Sequence, residues 1–431
     1  MGRKRDSARI LLISANREEI NMATWPLGAA CVAAAAIQAG HDVSVLDLMH
    51  SADPHAAVVR AIRDFTPDVI GVSVRNIDDQ RMMNTTFFLD DVKNIVARCR
   101  TASTAPIVLG GAGYSIFPQS ALEYLGADMG IAGEGEAAFP QLAERVKSGS
   151  DLSGPYVLYR PGRSPEGKRK FAKNLDRFPL PEIGLVPRAP YAAGDFWMPV
   201  QTRRGCSLAC SYCSTPAIEG LKFRKRSLEA VVGWMAGCAA AGIKKFHFVD
   251  NTFNLPPSYA KELCSLIIRE RLDITWRCIL YPWNMDETLA ELMARAGCAE
   301  ASIGSESGSD DMLRSMNKRF TPDDVKRTAD VTSGLGVERM GFLLFGGPGE
   351  TLASAEESLR FADSLNLESL KITIGIRIYP GTALARQAAE DGIINPGDDL
   401  LQPRFYMVPG LEDPLRKLIG QWTSGRPNWI L

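Results

Sequence analysis

The chain has 431 residues, 45% of them hydrophobic and 23% charged, and its 49 Lys and Arg against 50 Asp and Glu leave a formal net charge of -1. These proportions exclude a disordered, collagen-like or disulfide-stapled chain. The charge balance points to no nucleic-acid or membrane partner, and at about 150 residues per domain the length predicts two to three domains. The basic start, Met1–Asp6, runs into a short strand-like segment and not a signal peptide, and the longest apolar run, Leu27–Ile37, is too short to span a bilayer. The expectation is a cytoplasmic, reducing setting, in which clusters among the nine cysteines mean metal binding or catalysis.

Strand and helix signals alternate through the first 150 residues. Ala8–Ser14, Val43–Leu48, Asp68–Val74, Pro106–Gly110 and Asp128–Ala132 read as strands. Pro26–Gly40, Ala56–Asp64, Phe88–Arg100, Ser120–Leu125 and Glu136–Lys147 read as the helices between and after them. Nearly continuous apolar strands predict a doubly wound, Rossmann-like parallel sheet covered on both faces, with its ligand at the carboxyl ends of the strands. Residues 150–195 collect Pro, Gly and basic residues and read as a linker with a small hairpin. From 196 to 385 the alternation resumes with strands at Met198–Thr202, Lys245–Val249, Ile274–Cys278, Ala301–Gly304, Gly341–Phe345 and Lys371–Ile378. Six β/α units are too few for a closed eight-unit barrel, so a partial (β/α)6 TIM barrel is expected. Residues 386–431 read as a tail packed across it.

The first barrel strand runs into Arg204-Gly205-Cys206-Ser207-Leu208-Ala209-Cys210-Ser211-Tyr212-Cys213. Three thiolates spaced C-x3-C-x2-C can hold three corners of a 4Fe–4S cluster and leave the fourth iron open. A structural zinc site would need a fourth Cys or His close by, and the barrel's one histidine, His247, is far downstream. The basic run Lys222–Arg226 reads as solvated or structural.

This triplet resembles the radical S-adenosylmethionine (radical SAM) superfamily. The resemblance implies that Cys206, Cys210 and Cys213 ligate the cluster and that its open iron chelates SAM, whose reductive cleavage gives a 5′-deoxyadenosyl radical. Tyr212 matches the family's aromatic residue beside the adenine. Asp250 and Asn251, in Val249-Asp250-Asn251-Thr252, fall where the family binds the SAM amino group. Ser305 and Glu306, in Gly304-Ser305-Glu306-Ser307-Gly308, fall where it meets the ribose and methionyl parts. Gly347, in Gly346-Gly347-Pro348-Gly349-Glu350-Thr351, lets backbone approach the ligand. Arg377, just before Ile378-Tyr379-Pro380-Gly381-Thr382, is placed with them as a cofactor contact.

The amino-terminal domain, residues 8–149, is similar to cobalamin-binding domains. Gly110 and Gly111 resemble the family's paired glycines beside the buried nucleotide tail, Gly133 and Glu134 open a G-E-G-E run, and Ser73 matches the serine of the nucleotide pocket. The family's D-x-H-x-x-G loop, whose histidine binds cobalt, is absent: the loop here is Asn16-Arg17-Glu18-Glu19-Ile20-Asn21. His55, in Asp53-Pro54-His55, reads as a helix-start residue. Arg75 or Asn76 is expected near the lower cobalt face. The combination resembles cobalamin-dependent radical SAM methylases. It implies methylation of a carbon of a small-molecule substrate, with an electron donor such as flavodoxin or ferredoxin. Cyclases or ring-rearranging enzymes, non-radical C-methyltransferases and a cobalamin-binding sensor stay open as alternatives. A methylthiotransferase would need a different, cysteine-bearing amino-terminal domain. Phe405, Tyr406, Trp422 and Trp429 either line the substrate pocket or pack.

Overall fold

The apolar run Arg9–Ser14 forms β1, buried at five of its six positions, as a strand covered on both faces must be. It pairs in parallel with β2 (Asp42–Asp47) on one side and β3 (Val69–Ser73) on the other, and β4 (Ile107–Gly110) and β5 (Met129–Ile131) follow in parallel. The chain is described here as a computed structural model covering residues 7–19, 23–188, 191 and 195–431. The basic start Met1–Asp6, Ile20 and Asn21 of the first loop, and residues 189, 190 and 192–194 of the expected linker lie outside these. The first sheet has the order β2-β1-β3-β4-β5-β6. Its direction of build-up reverses between β1 and β3, which places a ligand crevice at their carboxyl ends. The helices are α1 (Leu27–Gln38), α2 (Pro54–Phe65), α3 (Leu89–Ala102), α4 (Ala112–Ile116), α5 (Pro118–Leu125) and α6 (Gly135–Ser148). Asp53 caps α2 by accepting from the Ala56 N–H at 2.9 Å, so His55 sits in its first turn.

β6 (Leu158–Tyr159) is antiparallel to β5. The segment expected to be a linker with a small hairpin supplies a sheet edge, with Leu158 also bridging Glu166, and the sheet is mixed where a purely parallel one was expected. Two residues in a Pro- and Gly-rich stretch carry no periodicity that would announce a strand.

The second sheet begins with β7 (Met198–Val200), which leads into a small hairpin of β8 (Arg203–Arg204) and β9 (Arg224–Lys225) around α7 (Thr215–Glu219). Then come α8 (Leu228–Ala240), β10 (Lys245–Phe248), α9 (Pro257–Arg269), β11 (Thr275–Leu280), α10 (Glu287–Arg295) and β12 (Cys298–Glu306). After α11 (Asp310–Ser315) and α12 (Pro322–Thr332) follow β13 (Glu338–Phe345), α13 (Leu352–Ser364), β14 (Ser369–Ile374), β15 (Ile376–Arg377) and α14 (Ala383–Glu390). The tail adds β16 (Phe405–Tyr406), α15 (Glu412–Thr423) and β17 (Trp429–Ile430). The order β17-β14-β13-β12-β11-β10-β7 is parallel throughout and does not close, so the barrel is partial. The tail does more than pack across it: β17 pairs with β14. Trp422 and Trp429 stack at 6.0 Å with the Arg426 guanidinium over both rings, a packing role.

The two sheets share cores. Trp25 and Met49 of the first domain pack in one cluster with Met198, Val200 and Phe248 of the barrel. Buried ion pairs cross the same seam. Arg377 Nε lies 2.9 Å from Asp78 Oδ2 with both side chains buried, and Arg204 and Arg224 converge on Glu134 and Glu136. Removing one member of such a pair strands the other charge, so these contacts fix how the carboxyl edge of the first sheet meets the barrel mouth.

Candidate functional site

A cavity of about 320 Å³ runs from the carboxyl ends of β1, β3, β4 and β5 to the barrel. Ser14, Ser73, Gly110 and Gly133 line one side, and Gln201, Arg204, Glu219 and Val249 the other. Helix α1 meets it with Gly28, Ala29 and Cys31, small residues that leave room. Gly110 is diagnostic. A Cβ built there would meet only the Ile131 carbonyl at 3.9 Å and would otherwise enter the cavity. The protein's own packing therefore does not require glycine at that position, and a larger side chain there would take up cavity space. Gly111 differs: at φ +102° its Cβ would stand 2.9 Å from the Val74 nitrogen, so its glycine answers to backbone approach. Glu134 lines the cavity, but its carboxylate pairs with Arg224 and lies 3.4 Å from Arg204, so it works as an interdomain clamp. Arg75 has exposed surface, yet burial lowers its pKa. Both hold because it faces cavity space enclosed by protein. Asn76 donates to Asn16 at 3.5 Å beside it.

The cysteine loop follows Arg204, which lines the barrel side of this cleft. Gly205, at φ +86°, has the Lys222 carbonyl where a Cβ would stand, and Ala209 is also left-handed at φ +53°. The loop is thus held in a bent form that presents three thiols, none of them in a disulfide. Burial first, then the other two thiols, push the Cys206 pKa up to about 11. Burial raises the Cys210 pKa as well, against the neighbouring Lys318 ammonium, which lowers it. Among the described residues no three His, Cys, Asp or Glu side chains converge on a single ion, and thiols spread along a loop suit cluster corners. Thr215 turns its N–H toward Cys213 Sγ at 3.5 Å and bonds Asn251 Oδ1 at 3.3 Å.

Residues 200–362 match the radical SAM superfamily, and residues 13–143 match the B12-binding domain. The chain belongs to the cobalamin-dependent radical SAM proteins. It is similar to an uncharacterized methyltransferase of Pyrococcus horikoshii, 27% identical over 398 residues that cover 90% of this chain and 84% of the relative. It is also similar to tryptophan 2-C-methyltransferase of Streptomyces laurentii, 26% identical over 455 residues, covering 89% of this chain and 75% of the relative. Among solved structures it is similar to the radical SAM methyltransferase TsrM of Kitasatospora setae with cobalamin and a 4Fe–4S cluster bound. That match has a TM-score of 0.81 at 26% identity, covering 89% of this chain and 75% of that one.

For a cobalamin-dependent radical SAM protein, the residues around the cysteine loop separate into contacts and supports. Tyr212 Oη donates to Glu306 Oε1 at 2.9 Å, and Lys318 Nζ bonds both at 2.9 Å. Glu306 is left-handed at φ +60°, where the register between β12 and β13 shifts. A non-glycine residue held there costs about 1–3 kcal/mol. Asn251 donates to Glu219 Oε2 at 2.8 Å and faces the cysteine loop through Thr215. Asp250 does not face it. Its oxygens accept from the Thr202 N–H at 2.8 Å, the Thr202 hydroxyl at 2.5 Å and the Arg203 N–H at 3.0 Å, so it ties the end of β7 to that of β10. Ser305 Oγ donates to the Phe342 carbonyl at 2.6 Å and ties β12 to β13. Arg377 is committed to Asp78 and the Leu400 carbonyl. In the basic run, Arg224 and Arg226 are buried, against the solvated reading, because they answer Glu134 and the Leu175 and Phe178 carbonyls.

Sequence reasoning missed Lys318, Glu219 and Arg204, whose partners lie far along the chain. It also passed over Glu350. This buried carboxylate accepts from the Gly346 N–H, and burial raises its pKa from the ordinary 4.5 to about 7. A carboxyl whose pKa is raised on folding holds its proton more tightly in the native chain, so its contribution to stability falls as pH rises from about 4.5 to 7. Glu350→Gln is therefore expected to gain stability over wild type towards about pH 8 and to lose that advantage near about pH 4. Urea unfolding at both pH values checks this, and parallel curves would refute it.

Proposed function

We propose that this protein transfers a methyl group from SAM to a carbon of a small-molecule substrate, with cobalamin as carrier. The observation that carries the reading is the cleft between the domains, which Gly110 lines from the first sheet and Arg204, at the start of the cysteine loop, lines from the barrel. When bound, the cluster and SAM supply the methyl group and radical chemistry, and cobalamin supplies a methyl carrier. The chain's own residues position and seal. Gly110 and α1 leave the slot for the nucleotide tail, and Cys206, Cys210 and Cys213 hold the cluster. Tyr212 and Asn251 border the SAM site, and the pairs of Arg204, Arg224 and Arg377 hold the two domains together around the cleft. A low-potential donor such as flavodoxin or ferredoxin would reduce the cluster. A cytoplasmic setting suits nine free thiols; among the described residues no helix is long and apolar enough to cross a membrane.

A second reading is transfer without hydrogen abstraction. It is favoured by the similarity to a methyltransferase acting on C2 of tryptophan, an unsaturated ring carbon. Protein reconstituted with cluster and cobalamin, given reductant, SAM and a candidate acceptor, separates the readings. S-Adenosylhomocysteine with 5′-deoxyadenosine supports radical methylation, and S-adenosylhomocysteine alone the second reading. 5′-Deoxyadenosine alone would point to a cyclase or rearranging enzyme, and neither product to a binding protein.

We also place Arg75 at the lower face of cobalamin, since it lines the cavity from the β3 end. Arg75→Ala is expected to shift the visible spectrum of bound cobalamin and to slow turnover about tenfold or more, the effect of losing an outer-shell partner of a metal. An unchanged spectrum and rate would remove Arg75 from that position.

A further inference from the structure

A second cavity, of about 490 Å³, lies in the barrel lumen under the loop that follows β3. It shares Thr24 and Arg75 with the first cavity, and none of the three cluster cysteines lines it. Its walls carry His247 from β10, Arg277 from β11, Lys371 from β14, and Arg75 and Arg81 from the covering loop. Register explains the convergence: His247 pairs with Arg277 across β10 and β11, so both stand on the same face at one level of the sheet. His247 Nδ1 is buried there with no hydrogen-bond partner. Arg277 lies over the Trp197 ring at 4.6 Å and 3.5 Å from Glu300, which fixes its guanidinium.

The space is electropositive. Burial first, then the charges of Arg277 and Arg75, bring the His247 pKa down to about 4. Burial first, then Arg81, works against the charged form of Lys371. Three acids stand on the wall against Arg75, Arg81, Arg277, Lys371 and Arg416: Asp78 is spent on Arg377, and Asp79 accepts from the Arg81 N–H at 3.1 Å. Glu18 is pushed toward its neutral form by burial, Asp91 and Asp79. Charge complementarity calls for an anion, and a neutral imidazole offers one further hydrogen bond.

We propose that this lumen cavity receives the methyl acceptor, and that the acceptor carries an oxyanion, a carboxylate or phosphonate, docked on Arg277 and Lys371 with His247 Nδ1 bonding a polar group beside it. The proposal rests on the methyl-transfer reading and names the substrate class for it. The acceptor would then lie next to Arg75, where the lumen opens toward the cofactor cleft.

The test uses protein loaded with cluster and cobalamin. It is titrated with 2-hydroxyethylphosphonate, followed by phosphorus NMR, and with indole-3-acetate against indole-3-acetamide, followed by equilibrium dialysis. At least one of the two anions should saturate the protein with a Kd below about 1 mM. If indole-3-acetate is that anion, the amide should bind about tenfold more weakly or worse. Arg277→Gln should weaken anion binding about tenfold and leave the amide unchanged, while Arg277→Lys should recover most of the loss, because the charge is what it supplies. Where indole-3-acetate saturates the protein, its amide binding equally well would overturn the proposal; so would Arg277→Gln binding the anion as wild type does, or no saturable binding of either anion up to about 10 mM. Anion binding present without cobalamin and abolished by loading would also overturn it, assigning these charges to the cofactor. S-Adenosylhomocysteine formation without acceptor, measured on the same samples, reports separately on the methyl-transfer reading.

Discussion

Alanine at Cys206, Cys210 or Cys213 is expected to abolish the iron–sulfur cluster and with it SAM turnover. The three thiols come from one loop, and the fourth iron has no protein ligand to spare, so one lost thiolate leaves two corners of the cubane unheld. Residues that act as a unit lose the whole function when one is removed, and a fall of at least about three orders of magnitude is expected. Iron and sulfide analysis with the visible absorbance of the cluster checks binding, and S-adenosylhomocysteine release checks turnover. Cys238→Ala is the contrast. Cys238 is buried in the core beside Met235 and Phe246, so its loss should cost stability and leave the iron content unchanged. Full iron in Cys213→Ala would take that residue out of the ligand set.

Gly110→Leu is expected to block cobalamin without unfolding the domain. The new side chain would project into the cavity of about 320 Å³ and meet only the Ile131 carbonyl near its base. Overfilling a site costs about 1–3 kcal/mol, so the Kd for cobalamin should rise about ten- to a hundredfold. Retained colour after gel filtration measures this, with far-ultraviolet circular dichroism to show that the fold is intact. Gly111→Ala should behave differently. Its Cβ would press on the Val74 backbone at a φ of +102°, so it should lower the unfolding temperature whether or not cobalamin is present. If Gly110→Leu binds cobalamin as wild type does, the nucleotide slot is not at the end of β4.

How far the sequence carried depended on how local the information was. The cysteine loop was legible because three ligands on a C-x3-C-x2-C spacing need no distant partner. The buried strands were legible because a strand covered on both faces reads as one apolar run, as in Arg9–Ser14. Position at a strand end was a weaker guide to role. Asp250, Ser305 and Arg377 all stand there, yet their polar atoms are taken up by Thr202, Phe342 and Asp78. Nothing in the sequence distinguishes a polar residue that faces a ligand from one that ties two strands. Lys318 was invisible for a related reason, since its contact Tyr212 lies 106 residues away. The G-E-G-E run drew attention for its glycines, while its glutamates turned out to bind Arg204 and Arg224 from the other domain. The two-residue strand β17 exists only through its neighbour β14, and no local pattern could announce it.

The central claim is that one cleft joins a cobalamin held by the first sheet to a SAM held by the cysteine loop. The most direct measurement compares two preparations, one with cluster and cobalamin and one with cluster alone, each given deuterated-methyl SAM, reductant and an acceptor found by screening. Mass spectrometry then follows the label into the acceptor. The account predicts labelled product and S-adenosylhomocysteine from the first preparation and neither from the second. Equal methylation by the preparation without cobalamin would contradict it.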